Sequence, residues 1–169
     1  MLTQIINGQI LTPQGWLKDG SVLISDGKIL EVTNSDLAVI GAKVVDAKGM
    51  YIVAMNVHGG GGHDFKECTE EAFHSAIAAH MKHGATTLFP TLSSSPKELI
   101  CKAVSICEKL MAEKDGPVLG LHVEGPYLNT KMAGNLYDVK DPDEEEYRSI
   151  LESTNCIKRW DASPELPGA

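Results

Sequence analysis

An α/β fold, a short all-strand segment followed by repeating strand–helix units, is what the sequence predicts, on three observations. The first fifty residues alternate short apolar runs with Asn-Gly and Asp-Gly dipeptides. From Met50 onward, strand-like apolar runs alternate with stretches whose apolar residues recur at helical spacing. One of these runs, Gly120-Leu121-His122-Val123-Glu124-Gly125-Pro126-Tyr127, ends on a carboxylate just before a Gly-Pro turn.

In the first segment, strands are predicted at Gln4–Ile6, Gln9–Leu11, Ser21–Ser25, Lys28–Val32 and Lys43–Val45. Asn7-Gly8, Asp19-Gly20 and Asp26-Gly27 read as hairpin turns, because both residues of such pairs tolerate positive φ. Taken alone, this segment reads as a small free-standing β domain. After it, strands are predicted at Tyr51–His58, Thr86–Leu92, Val118–Glu124 and Ile157–Ala162. A helix over Glu70–His83 is marked by Phe73, Ile77 and Met81, with Gly84 as its stop. The next opens at Ser95-Pro96-Lys97-Glu98, a capping box with proline at the first helical position, and buries Leu99, Ala103, Ile106 and Leu110. A third opens at Asp141-Pro142-Asp143-Glu144 and buries Tyr147, Ile150 and Leu151. Strands recurring roughly every 30–40 residues match the repeat of a (β/α)8 TIM barrel. At most four such units fit, leaving two open edges and an uncovered apolar face, so the chain is expected either to be a fragment of a longer protein or to complete itself by association.

The 169 residues suffice for one core, and 43% hydrophobic with 22% charged residues is ordinary for a globular protein. A net charge of −8 argues against nucleic acid or an anionic membrane as partner. The start of the chain lacks the pattern of a leader, and no run approaches the ~20 apolar residues of a membrane span, so a cytoplasmic location is expected. Cys68, Cys101, Cys107 and Cys156 show no metal-finger or C-x-x-C spacing and read as structural thiols.

Strand alternation puts Gly120, His122 and Glu124 on one face and Leu119, Leu121 and Val123 on the other. An apolar face toward helices and a His/Glu face ending at a strand's C-terminus is what a metal site at a barrel mouth requires. His58 ends the first predicted barrel strand, with Asn56 on the same face. The Gly59–Gly62 run lets backbone N–H groups approach a ligand, and His63 follows it. His80 reads as a packed histidine, while His74 and His83 read as solvent-facing or capping.

The octapeptide resembles the H-x-E-G-P-aromatic signature of the N-acetylglucosamine-6-phosphate deacetylases of the amidohydrolase superfamily. Three further segments resemble that family in order: Val57-His58-Gly59-Gly60-Gly61-Gly62-His63-Asp64-Phe65, the run from His83 to Leu92, and Trp160-Asp161-Ala162-Ser163-Pro164-Glu165. The resemblance implies a β-sandwich portion over residues 1–50 and the first half of the barrel over 51–169. It also implies hydrolysis of the N-acetyl amide of an amino-sugar phosphate to glucosamine 6-phosphate and acetate. Glu124 and His58 would hold a divalent metal, zinc in the family, with His122, Asn56 and Glu165 in support. Gly134, Asn135 and His63 would meet the sugar, while Lys131 reads as a solvated lysine or, failing that, a phosphate contact. The family's catalytic aspartate and two further metal-binding histidines fall on later strands, so no catalytic residue is assigned in this chain. Turnover by the isolated chain is not expected without a complementary half or a second copy. Asn56-Val57-His58 stands where many amidohydrolases have H-x-H, and the Pro-Gly and Asp usual before it are missing. Two other readings remain: another amidohydrolase such as a dihydroorotase, which would be expected to keep H-x-H, and a non-catalytic module binding a sugar phosphate or a protein.

Overall fold

The computed structural model describes residues 1–169 apart from Asp36, Ala38, Ala54 and Met55, and of Asn56 it describes the backbone alone. The chain forms two compact units, Met1–Ala54 and Met55–Ala169.

In the first unit, β1 (Leu2–Thr12), β2 (Gly15–Ser25), β3 (Lys28–Thr33), β4 (Lys43–Asp46) and β5 (Tyr51–Ile52) form one sheet. Its order is β3-β2-β1-β4, and β5 lies along β1 beyond β4. The turn at Asp26-Gly27 is where the sequence puts it, with both residues at positive φ. Asn7-Gly8 and Asp19-Gly20 are not turns. Each sits inside a long strand, and Gly8 pairs with Gly20 across a break in register. Asn7 (φ 58°) and Asp19 (φ 52°) use the left-handed conformation to make opposed bulges rather than chain reversals. The reversal between β1 and β2 comes instead at residues 12–15, where Thr12 Oγ1 donates to Gly15 O at 2.8 Å. The interior of this unit includes polar groups whose bonds are met: Gln4 Nε2 donates to Ser21 Oγ (3.0 Å) and Leu37 O (2.6 Å). Ile29, Leu30, Val32, Val44 and Val45 remain exposed.

The second unit is built on a parallel sheet of order β11-β10-β9-β6. Its strands are β6 (Asn56–Val57), β9 (Phe89–Ser93), β10 (Leu121–Glu124) and β11 (Ile157–Asp161). Each strand lies beside its predecessor, as successive strand–helix–strand units require. The expected strand Tyr51–His58 is thus divided: β5 belongs to the first unit's sheet and β6 to this one. A small antiparallel pair, β7 (Gly59–Gly60) with β8 (His63–Asp64), and a 3-10 helix at Phe65–Glu67 precede α1 (Glu70–Lys82).

Thr69 caps α1 by accepting from Ala72 N, and the helix buries Ala72, Phe73, Ala76 and Ile77. Met81 is 47% exposed, against expectation. His80 continues the inward side instead, with its Nε2 2.7 Å from Gly59 O. On α2 (Lys97–Met111) the buried stripe is Ile100, Ala103, Val104, Cys107 and Leu110, with Leu99 and Ile106 only at its margin. The expected capping box does not form there. Pro96 is the capping residue, in extended conformation, and Ser95 Oγ spends its donor on Ser93 O at 2.7 Å. On α3 (Glu144–Ser153) the cap is Asp143, which accepts from Glu146 N at 3.0 Å, rather than Asp141. Of its three expected core residues only Ile150 is fully buried, and Leu151 is exposed.

The core joins the α2 stripe to Leu92 of β9 and to Leu121 and Val123 of β10. Each large apolar side chain enclosed here contributes about 1.5–3 kcal/mol. Leu119, expected on that same face, is 49% exposed. Val118 bridges Leu88 before β10 begins, and the alternation breaks between Val118 and Leu121, so both of those turn inward.

Candidate functional site

The C-terminal ends of the parallel strands gather the polar side chains. Ser93, Glu124 and Asp161 are the last residues of β9, β10 and β11, and Glu124 is paired in register with both of the others. His58 follows β6 directly. Parallel strands place their carboxyl ends at one edge, so residues far apart in sequence meet there.

His58 Nδ1 lies 3.1 Å from Ser93 Oγ and 3.8 Å from Glu124 Oε2. The His58 side chain is half-exposed and that of Glu124 29% exposed, which leaves both open to a ligand. Two donors bonded at about 2.1 Å to one tetrahedral ion stand about 3.4 Å apart, somewhat closer than this pair at 3.8 Å. Among the described residues no cluster of three or more His, Cys, Asp or Glu is arranged to hold an ion. A catalytic zinc centre takes three ligands from the protein, and no described group supplies all three.

His122 lies one layer deeper. It is 2% exposed, its Nδ1 is 3.1 Å from Thr91 Oγ1, and its Nε2 is 3.1 Å from Asp161 Oδ2. The ring therefore bridges β9 and β11 across β10. Arg159 reaches the same carboxylate twice, Nε to Oδ1 at 2.9 Å and Nη2 to Oδ2 at 3.2 Å. The Arg159 guanidinium first, with His122 adding to it, holds the Asp161 carboxyl below the usual range against the opposing effect of burial.

No family model matches the chain. The N-acetylglucosamine-6-phosphate deacetylase of Haemophilus influenzae is 32% identical over 137 residues, 77% of this chain and 35% of its own length. The Homo sapiens N-acetylglucosamine-6-phosphate deacetylase is 31% identical over 136 residues, 75% of this chain and 32% of its own. The crystal structure of N-acetyl-D-glucosamine-6-phosphate deacetylase from Mycobacterium smegmatis superposes with a TM-score of 0.68 at 27% identity, covering 100% of this chain and 49% of that one. The chain belongs to the N-acetylglucosamine-6-phosphate deacetylase family. It spans about a third of the length of the curated relatives it matches.

Of the deacetylase-like residues singled out in the sequence, the structure brings together Glu124 and His58, with His122 beneath them. Asn56 precedes His58 by two residues, and its side chain lies outside the described residues. His63 stands apart on β8, its Nδ1 3.1 Å from Glu67 Oε2. Gly134 and Asn135 are exposed in the segment following β10. That segment is anchored past the end of β11, where Asn129 N donates to Ser163 Oγ (2.9 Å) and Asn129 Nδ2 to Glu165 Oε1 (2.9 Å). It is anchored again past β9, where Ser94 Oγ donates to Asp138 O at 3.2 Å. Those two anchors carry it along the strand edge that holds Glu124. Glu165 thus bonds this segment, and Lys131 N closes a local turn on Asn129 Oδ1.

Sequence reasoning missed Ser93 and Asp161. The signal was available for Asp161: a carboxylate one residue from the end of the strand predicted over Ile157–Ala162, close to the pattern that singled out Glu124.

Proposed function

We propose that this chain supplies one side of the active site of an N-acetylglucosamine-6-phosphate deacetylase. The reaction is hydrolysis of the N-acetyl amide of the amino-sugar phosphate to glucosamine 6-phosphate and acetate. The observation that carries the reading is the Glu124–His58 pair, 3.8 Å apart at the carboxyl edge of a parallel sheet. In this reading residues 51–169 are the first half of a (β/α)8 barrel and residues 1–50 part of a β-sandwich. Among the described residues β6 and β11 each have one neighbour in their sheet, and these outer edges and the exposed Ile29, Leu30, Val44 and Val45 support both assignments.

Glu124 and His58 are two of the donors for a divalent ion, zinc by the family reading. Such an ion supplies a polarised amide carbonyl and a water of lowered pKa. The chain's own contribution is positional. The Thr91–His122–Asp161 connection fixes the strand that presents Glu124, and the His58 Nδ1 that would meet the ion is the nitrogen now 3.1 Å from Ser93 Oγ. His63, Gly134 and Asn135 are proposed to face the sugar, and the anchoring of residues 129–138 along the strand edge supports this for the latter two.

The test measures acetate released from N-acetylglucosamine 6-phosphate in zinc-containing buffer, together with zinc affinity by competition with a chromogenic chelator. The chain alone is expected to bind zinc weakly and release no acetate. Adding the complementary C-terminal half of a related deacetylase is expected to restore both, and Glu124→Ala to abolish both. Zinc binding unaffected by Glu124→Ala would overturn the assignment.

A further inference from the structure

The segment joining β10 to α3 closes on itself. Lys140 N donates to Pro126 O at 2.9 Å, so residues 127–139 form a surface loop of the Ω kind, its two ends touching. The middle of this loop is the stretch that passes along the strand edge holding Glu124. Side chains at both of its ends converge on one carboxylate of α3. The Tyr127 hydroxyl donates to Glu146 Oε1 at 2.8 Å, and Lys140 Nζ donates to Glu146 Oε2 at 2.9 Å while lying 2.8 Å from Oε1. The same ammonium stands 5.9 Å from the centre of the Tyr127 ring.

The closed end of the loop has a firm base. Tyr127, 3% exposed, stacks on Trp160 of β11 with ring centres 5.8 Å apart and meets Tyr147 of α3 edge-on at 6.0 Å. Between the ends, Lys131, Met132, Gly134, Asn135 and Tyr137 are exposed. Two short turns shape that stretch, Met132 N to Asn129 O (2.9 Å) and Leu136 N to Ala133 O (3.0 Å). Glu146 does more than start a helix. Asp143 and Glu146 have the spacing of a capping box, in which the glutamate would return to the Asp143 N–H. Asp143 does accept from Glu146 N, but the Glu146 oxygens turn outward to Tyr127 and Lys140.

We propose that Glu146 is a positioning residue for this loop: one carboxylate on α3 pins both loop ends and so fixes where Gly134 and Asn135 stand along the strand edge. The clamp stands on its own geometry, and the identity of what the loop faces rests on the deacetylase reading. An ionised acceptor with two donors makes charge-assisted bonds, stronger than neutral ones. Because both ends hang on one group, its loss frees the whole loop.

The experiment follows amide hydrogen exchange in the full chain, residue by residue, for wild type, Glu146→Ala and Glu146→Gln. In Glu146→Ala the Met132, Leu136 and Lys140 amides are expected to exchange faster by about tenfold or more, with the Val104 and Cys107 amides of α2 unchanged. Glu146→Gln keeps an acceptor for Tyr127 and is expected to fall between the two, which loss of charge from the first turn of α3 would not produce. Loop exchange unchanged in Glu146→Ala, or raised equally in the loop and in α2, would overturn the clamp, and glutamine behaving as alanine would overturn the Tyr127 bond as its basis. In the chain complemented by a C-terminal half, Glu146→Gln is expected to raise KM for N-acetylglucosamine 6-phosphate several-fold and to leave kcat within about twofold. Acetate release with KM unchanged would overturn the loop's part in holding the sugar. No acetate from the wild-type mixture would instead overturn the deacetylase reading, with the exchange result still deciding the clamp.

Discussion

Replacing Gly125 by alanine tests how tightly the strand end beside Glu124 is built. Gly125 has φ +85°, where an L-residue costs about 1–2 kcal/mol. A Cβ there would stand 3.0 Å from Leu128 Cδ1, 3.1 Å from Ser94 Oγ and 3.2 Å from Ser94 Cβ. All three contacts are tighter than ordinary packing, and forcing such neighbours apart costs about 1–3 kcal/mol. Restricting the unfolded chain offsets about 0.4–1 kcal/mol of this. The net expectation is a loss of about 2–4 kcal/mol. Trp160 is a local reporter, since its Nε1 donates to Gly125 O at 2.8 Å. With a urea m-value of about 2 kcal/mol/M, the midpoint of its fluorescence transition should fall by about 1–2 M. Gly134→Ala is the control: its φ is +61° with nothing within 4 Å of the new Cβ, so only the backbone cost of about 1 kcal/mol applies. Equal losses in the two variants would refute the crowding, and a Gly125→Ala loss below about 0.5 kcal/mol would refute the whole estimate.

Two further outcomes are expected. Thr91→Val keeps the shape of a fully buried side chain but removes the hydroxyl 3.1 Å from His122 Nδ1, and should cost about 1–3 kcal/mol in thermal unfolding. Thr91→Ser should recover most of that, and a valine variant as stable as wild type would show that the bond contributes nothing. Burial pushes the Glu146 carboxyl up, but the Lys140 ammonium (2.9 Å) and the Tyr127 hydroxyl (2.8 Å) outweigh it, so its pKa lies below the ordinary value. Its folded pKa being the lower one, its stabilisation is complete above the ordinary glutamate range and is lost as pH falls through that lowered value. Acid unfolding followed in wild type and Glu146→Gln should therefore converge at low pH and separate above it, and parallel curves would contradict the assignment.

Positions of elements were legible because they rest on local pattern; their orientations were not. The α2 region was readable as a helix from its spacing alone, yet the stripe centre moved from Leu99 and Ile106 to Ile100, Val104 and Cys107. Several apolar residues on one helix allow more than one inward face, and the sheet beneath decides among them. Asn7-Gly8 and Asp19-Gly20 were misread for a related reason. Positive φ is a property of the dipeptide, but whether it reverses or bulges the chain depends on what the flanking residues pair with. Glu124 was legible because a strand pattern ended on a carboxylate. The contacts of His122 were not, because Thr91 and Asp161 come from the two neighbouring strands and only the register brings them to it.

That register also bears on why the proposed site draws on Glu124 rather than Asp161, although the Asp161 side chain is the more exposed of the two, 36% against 29%. Adjacent strands end on paired acids, which repel when both are ionised. Arg159 stands two residues before Asp161 on the same strand face and takes both of its oxygens, while His122 approaches from β10. Asp161 is thereby tied to two cationic or hydrogen-bonding partners within the sheet. Glu124 has a half-exposed imidazole nearby at 3.8 Å, close enough to share an ion and too far for a direct hydrogen bond. In the proposed site the two carboxylates thus take different parts, Asp161 bracing the strand end and Glu124 meeting the ligand.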